Sequence, residues 1–435
     1  MSNIVAIVGC PNVGKSTFFN RMTQTRDAIV HETAGVTRDR HYGKSDWNGR
    51  EFSIIDTGGY VNNSDDIFEA EIQKQVMFAI EEADVIIFMV DAVLGITIGD
   101  ETIAQIIRKS QKPVFLAVNK VDNHQLLLEA QVFYSLGLGD IYPISSATGS
   151  GTGDLLDEVV KSFTNKPIDD EEGIPRIAVV GRPNVGKSSL INALSGTERN
   201  IVTPIAGTTR DPINTRYTKF GYDFILVDTA GLRKKSKVNE NIEFYSMLRS
   251  IRSIEEADVC ILMLDATAGL ESQDMNVFRM IKDNNKGLVV VVNKWDLVDK
   301  SENNSTKRYA EYVRKGLEPF DDVPVVFTSA LTKQRVLKAM DAAIQVYKNR
   351  TQKIPTAQLN RLIQQYVEET PPPSYKGKFI KIKYATQLPT YYPTFALFCN
   401  LPQYIREPYK RYIENRLRKD FDFSGVPMKV FFRKK

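Results

Sequence analysis

GRPNVGKSS, residues 181–189, decides the fold. IAVV precedes it and LINALSG follows it, so the order is strand, loop, helix. Gly181, Gly186, Lys187 and Ser188 keep the phosphate-loop spacing G-x-x-x-x-G-K-[ST], and Arg182, Pro183, Asn184 and Val185 fill the loop. Glycines at such positions let backbone N–H groups turn inward around phosphate oxygens. Lys187 is placed to reach the β- and γ-phosphates and Ser188 to ligate Mg²⁺. The helix that follows directs its positive end at the same anion. A loop of this kind fits ATPases, kinases and GTPases alike.

The stretch occurs twice. Gly9, Cys10, Pro11, Asn12, Val13, Gly14, Lys15 and Ser16 read GCPNVGKS, again after an apolar strand and before a helix. Lys15 and Lys187 are 172 positions apart, as are Thr37 and Thr209, and Asp56 and Asp228. Asn119 and Asn293 are 174 apart. Four landmarks in one order at nearly one spacing mean a duplicated domain.

The 435 residues are 42% hydrophobic and 25% charged, ordinary globular composition for two or three domains. The apolar run VIIFMV at 85–90 is far too short to span a bilayer. IVGC at 7–10 ends in cysteine, but too few apolar residues precede it for a signal core. Cys10, Cys260 and Cys399 form no metal-type or redox-type pair and suit a reducing cytosol. Net charge is only +4, yet residues 351–435 carry 16 Lys+Arg against 6 Asp+Glu, while the other 350 carry 41 against 47. All the excess positive charge sits in the last fifth of the chain, which points to a polyanionic partner there.

Residues 1–165 are expected to form the first α/β unit. Thr37, in TAGVTRDR, is placed to close on Mg²⁺ and the γ-phosphate, as is Thr209 in AGTTRD. FSIID at 52–56 reads as a strand running into Asp56, Thr57, Gly58, Gly59 and Tyr60. Asp56 would hold Mg²⁺ through water, and the Gly59 N–H would sense the γ-phosphate. The apolar runs DVIIFMVD (84–91) and PVFLAV (113–118) suit parallel strands buried on both faces.

The second run ends in Asn119, Lys120, Val121 and Asp122. The Asp122 carboxylate can accept from both guanine N1–H and the exocyclic NH₂, a pattern adenine lacks. A site built on buried polar partners rejects the wrong base by ~10⁴-fold or more. Asn119 is expected to support base and loop, with the Lys120 stem over the purine and Ser145 to Ala147 beside the guanine O6. A kinase has no use for this tetrad. Residues 166–174 read as a linker. Residues 175–350 repeat the plan with Asp228, Thr229, Ala230, Gly231 and Leu232, then Asn293, Lys294, Trp295 and Asp296. LRKKSK at 232–237 adds four positive charges, either a solvated loop or an RNA or partner contact.

Residues 351–435 are of another kind, with expected order α-β-β-α-β. KFIKIKYA at 378–385 alternates lysine with apolar residues and reads as a strand with one basic face. Residues 402–421 read as a basic helix. Of 42 aromatics in the chain, 15 lie in these 85 residues, a mixture that suits RNA binding, though most of them serve a core equally well.

Two guanine-nucleotide units in tandem, each with GxPNVGKS, then a small basic domain, closely resemble the bacterial double-Era-like GTPases, the EngA or Der family. The resemblance covers the whole chain. It implies two P-loop GTPase domains, each a mostly parallel sheet flanked by helices, and a small KH-like α+β domain. It also implies GTP hydrolysis with Mg²⁺, work on large-subunit ribosomal precursors and their RNA, and a cytoplasmic location. A monomer without membrane anchor is expected. Residues 351–435 hold no G-x-x-G loop, a departure from RNA-gripping KH domains. Many GTPases carry a water-orienting Gln where Tyr60 and Leu232 stand. Related GTPases with a hydrophobic residue there use K⁺ held by a phosphate-loop asparagine. Asn12 and Asn184 match it, which makes them catalytic candidates with Lys15, Lys187, Thr37 and Thr209. The Mg²⁺ candidates are Ser16, Thr37, Asp56, Ser188, Thr209 and Asp228. The competing expectation is a GTP-sensing scaffold with little turnover at one or both sites.

Overall fold

The computed structural model describes residues 3–27, 42–57, 68–163, 173–195, 214–227, 242–298, 305–374 and 377–434. Thr37, Thr209, residues 58–60, residues 228–232 and the LRKKSK stretch lie outside them.

The first repeat runs β1 (Asn3–Val8), α1 (Lys15–Asp27), β2 (Tyr42–Trp47), β3 (Arg50–Asp56), α2 (Phe68–Glu82), β4 (Val85–Asp91), α3 (Ile98–Lys109), β5 (Val114–Asn119), α4 (His124–Glu129), β6 (Ile141–Pro143) and α5 (Thr152–Lys161). Its sheet has the order β2-β3-β1-β4-β5-β6. Only β2 is antiparallel to its neighbour. Every residue of β4, VIIFMVD, is buried, as a strand covered by helices on both faces requires. Strand β1 pairs with both β3 and β4, so the loop after it opens at the sheet's carboxyl edge between them, where open α/β sheets bind ligands.

The second repeat runs β7 (Arg176–Val180), α6 (Lys187–Ser195), β8 (Thr215–Tyr217), β9 (Phe224–Val227), α7 (Ile242–Glu256), β10 (Val259–Asp265), α8 (Ser272–Asp283), β11 (Gly287–Asn293), α9 (Ser305–Gly316), β12 (Val325–Phe327) and α10 (Val336–Thr351). Its sheet order, β8-β9-β7-β10-β11-β12, is that of the first repeat. The C-terminal segment follows as α11 (Thr356–Glu369), β13 (Ile382–Gln387), β14 (Thr394–Cys399), α12 (Glu407–Asp420) and β15 (Lys429–Lys434), the expected α-β-β-α-β order. Strand β14 pairs antiparallel with β13 and parallel with β15. The helices cover one face through Ile363, Tyr366, Ile413 and Leu417 against Phe395 and Leu397.

The chain forms two compact units, Met1–Glu172 with Lys237–Glu255, and Gly173–Ser236 with Glu256–Lys435. In the first, helix α7 lies against the first sheet, where Glu255 takes a 2.5 Å ion pair from Lys44 and a hydrogen bond from Ser53. In the second, the C-terminal domain joins the second sheet. Val426 belongs to the core of the second repeat, and Leu288 N–H donates to Gly425 O at 2.7 Å. No helix among the described residues is long and apolar enough to cross a membrane.

Candidate nucleotide sites

Each phosphate loop is held open by its own lysine. Lys15 Nζ donates to Gly9 O at 2.9 Å and Cys10 O at 2.7 Å, and Lys187 Nζ donates to Gly181 O and Arg182 O at 2.6 Å each. Burial pulls the Lys15 ammonium below the usual lysine range, partly offset by the Asp56 carboxylate. That is a cation in need of further negative charge, which phosphate supplies. Asn12 and Asn184 both sit in the left-handed region at φ 64°, so the two loops share one backbone path.

The asparagines of the NKxD tetrads tie three loops together. Asn119 donates through Nδ2 to Val13 O at 2.7 Å and accepts through Oδ1 from Ser146 N–H at 2.8 Å. Asn293 repeats this with Val185 O at 2.8 Å and Ala330 N–H at 2.9 Å. The loop glycines make room for this, since a Cβ on Gly14 or Gly186 would lie 2.2 Å from the amide nitrogen. Lys120 and Lys294 adopt left-handed backbone and pair at 2.5 Å with Asp91 and Asp265. Those pairs set the direction of the lysine stems. Asp122 and Asp296 are exposed at the same edge.

Ser16 Oγ donates to Asp56 Oδ2 at 2.7 Å. A hydroxyl and a carboxylate side by side are the hard oxygen donors Mg²⁺ prefers, leaving further positions for phosphate and water. Thr57 backs this corner, with Oγ1 donating to Ile7 O at 3.0 Å.

Two features lie outside the sequence motifs, and a third gives the motif residue Arg182 partners that the motif does not name. Arg21 on α1 donates to Ser146 O at 2.8 Å and to Ala147 O, which fixes the loop beside the expected guanine position. Asp91 and Asp265 anchor the tetrad lysines. Arg182 pairs with Asp274 at 2.9 Å and Glu271 at 2.5 Å, strapping the second phosphate loop to the start of α8. Asp91/Asp265 and Asp100/Asp274 are each 174 apart, so the same repeat spacing that relates the tetrads relates them as well.

A phosphate loop and an NKxD tetrad on the carboxyl edge of a mostly parallel sheet, found in both repeats and joined in the first by a serine–carboxylate corner, define P-loop GTPase domains. The family described as "50S ribosome-binding GTPase" matches residues 4–120 and 176–294, and that described as "KH-domain-like of EngA bacterial GTPase enzymes, C-terminal" matches 353–433. Proteins called GTPase Der from Christiangramia forsetii and Bacteroides fragilis are 61% and 60% identical to this chain, over 100% of both partners in each case. The Flavobacterium johnsoniae protein of the same name is 60% identical, again over 100% of both. The chain belongs to the Der (EngA) family of GTPases. It is a GTP-binding switch protein that hydrolyses GTP.

Proposed function

We propose that this GTPase acts in assembly of the large ribosomal subunit, in the cytoplasm, with the nucleotide state of its two sites controlling association with the pre-ribosomal particle. The observation that carries this is the union of the basic C-terminal domain with the second GTPase repeat through Gly425 and Val426. A γ-phosphate-driven change in that repeat is felt by the domain that carries the chain's excess positive charge. Lys15 and Lys187 hold the β- and γ-phosphates, and Asp122 and Asp296 read guanine. Ser16 and Asp56, with Thr37, would hold Mg²⁺, and Ser188, Asp228 and Thr209 would do so in the second site. An Mg²⁺ held by these residues would supply positive charge against that developing on the transferred phosphoryl group. Asn12 and Asn184 would hold K⁺ beside the β–γ bridge, replacing the side-chain amide that Tyr60 and Leu232 lack.

Co-sedimentation with separated ribosomal subunits tests the proposal. Binding to the large subunit should be tighter with a GTP analogue than with GDP. Equal binding in both states, or none, would sink it. Hydrolysis should run clearly faster in KCl than in NaCl at equal ionic strength, and equal rates would remove the K⁺ role.

A further inference from the structure

Helix α1 begins at the phosphate-loop lysine, Lys15, and also carries Arg21. Arg21 donates through Nε to Ser146 O at 2.8 Å and through Nη2 to Ala147 O. Gly149 leaves room for the guanidinium, since a Cβ there would lie 2.7 Å from Arg21 Nη1. A helix rises ~1.5 Å per residue, so Lys15 and Arg21 stand about 9 Å apart along one rigid rod. One element therefore holds both the phosphate end and the base end of the first site.

The turn at 145–149 uses every backbone donor but one. Ser145 N–H donates to Ser150 O at 2.9 Å and Gly149 N–H to Ser145 O at 2.7 Å. Ser146 N–H donates to Asn119 Oδ1 at 2.8 Å and Thr148 N–H to Ser145 Oγ at 3.2 Å. Ala147 is exposed, and its N–H has no acceptor among the described residues. That N–H belongs to the same peptide unit as Ser146 O. In a planar trans peptide the C=O and the N–H point in opposite directions. Holding Ser146 O towards α1 therefore holds the Ala147 N–H away from it. A cation on the oxygen end also makes the N–H end a stronger donor. The second repeat lacks this clasp. Ala193 stands where the 172-residue spacing places the counterpart of Arg21. There Ser329 and Gln334 exchange N–H···O bonds at 3.2 and 3.0 Å, and no side chain among the described residues donates to Ala330 O or Leu331 O.

We infer that Arg21 is a positioning residue for base recognition at the first nucleotide site, aiming and polarising the Ala147 N–H as a donor to the 6-oxo group of the purine. The inference rests on the guanine reading proposed above and extends it to an atom that Asp122 cannot serve, because an ionised carboxylate only accepts hydrogen bonds. The planar guanidinium fork suits two neighbouring carbonyl oxygens better than an ammonium does. With Ala193 in place of the arginine, the second site reads the same atom less sharply.

The test uses the full chain carrying Asp296→Asn, which turns the second site away from guanine, and measures GDP, IDP and 6-thio-GDP in competition with a fluorescent GDP. IDP keeps O6 and lacks the NH₂ that Asp122 reads. The thio analogue keeps N1–H and NH₂ but presents sulfur, a weak acceptor, at position 6. Arg21→Met keeps an apolar stem and removes both donors. It should weaken GDP binding about three- to tenfold, the net worth of one hydrogen bond, and leave 6-thio-GDP nearly unchanged. The preference for GDP over 6-thio-GDP then shrinks by that factor, while the preference for GDP over IDP stays. Arg21→Lys, which can still donate to one carbonyl, should fall between Arg21→Met and the parent. In an Asp122→Asn background, Arg21→Met should leave GDP affinity at the second site unchanged, which certifies the fold. Equal weakening of all three nucleotides would mean that Arg21 merely supports the loop and would overturn the inference, as would an unaltered preference over 6-thio-GDP. A parent first site that binds GDP and IDP alike would instead remove the Asp122 reading, and a thio preference that still falls in Arg21→Met would leave the Arg21 role standing without it.

Discussion

At the second residue of each phosphate loop the two copies part. Arg182 Nε donates to both carboxylate oxygens of Asp274 at 2.9 Å, and its guanidinium also pairs with Glu271 at 2.5 Å. In the first copy Cys10 stands there, and Asp100 takes the place of Asp274. Asp100 Oδ2 accepts from Thr97 N–H and Oγ1–H at 3.0 and 2.7 Å, while Oδ1 is buried with no hydrogen-bond donor among the described residues. Burial and the Asp100 charge push the Cys10 thiol up to about 11, so it is protonated and neutral at pH 7. Breaking a buried ion pair from one side costs ~3–5 kcal/mol, so Arg182→Cys should destabilise the second phosphate loop and speed nucleotide release there. Cys10→Arg should slow release at the first site by giving Asp100 a charged guanidinium partner in place of a neutral thiol. Fluorescent GDP release, resolved by site, measures both, and unchanged rates in both variants would deny the strap any positioning role. Base reading is equally local. Asp122→Asn or Asp296→Asn should turn that site towards xanthine nucleotide, which carries a carbonyl where guanine has NH₂. Competition between GTP and XTP checks this, and an undiminished GTP preference ends the claim.

Among the elements, the motif-bearing strands were the most legible, because continuous apolar runs ending in a polar tetrad can hardly be anything but buried parallel strands. Strand β4 and the edges carrying Asn119 and Asn293 follow that pattern. Less was legible where a contact joins distant segments. Nothing in the spacing of Asn119 announces that its amide binds both Val13 O and the Ser146 N–H. The lysine alternation in KFIKIKYA was visible, but the bulge that turns Tyr384 outward depends on pairing with β14. The basic helix was visible too, but not the ion pairs that occupy it, since Glu369 lies on another helix. Helix α7 is a further case. Its residue Glu255, 3% exposed, receives Lys44 and the Ser53 hydroxyl more than 200 positions away. Glu255→Ala would take the carboxylate from beside the Lys44 ammonium, whose side chain is only 10% exposed, at a cost of ~3–5 kcal/mol. Urea unfolding of the full chain should show an earlier transition. A wild-type midpoint would mean that solvent replaces the carboxylate at no cost.

At the scale of the molecule, the C-terminal domain is part of how the second repeat folds. The loop from Phe423 to Met428 is threaded between them. Gly425 N–H donates to Asp322 O and Gly425 O accepts from Leu288 N–H, both at 2.7 Å. Val426, fully buried, lies in the core of the second repeat. Burial of one valine contributes ~1.5–3 kcal/mol and each hydrogen bond about 1 kcal/mol, so this loop alone stabilises the junction by roughly 4 kcal/mol. Deleting residues 351–435 therefore removes more than an RNA surface, and loss of ribosome binding in such a truncation would not by itself locate the contact. A point change is cleaner. Gly425 has φ 73°, and a Cβ there would lie 2.6 Å from Leu288 O. Gly425→Ala should strain the loop, separate the domain from β11 and lower GTP affinity at the second site. The first site lies in the other compact unit and should keep its affinity. Titration with a fluorescent GTP analogue, using Asp122→Asn or Asp296→Asn to silence one site at a time, gives the two affinities. Equal losses at both sites would show that the junction supports the whole chain rather than one repeat. No loss at either would reduce the loop to a passive contact and remove the route by which nucleotide is proposed to reach the basic domain.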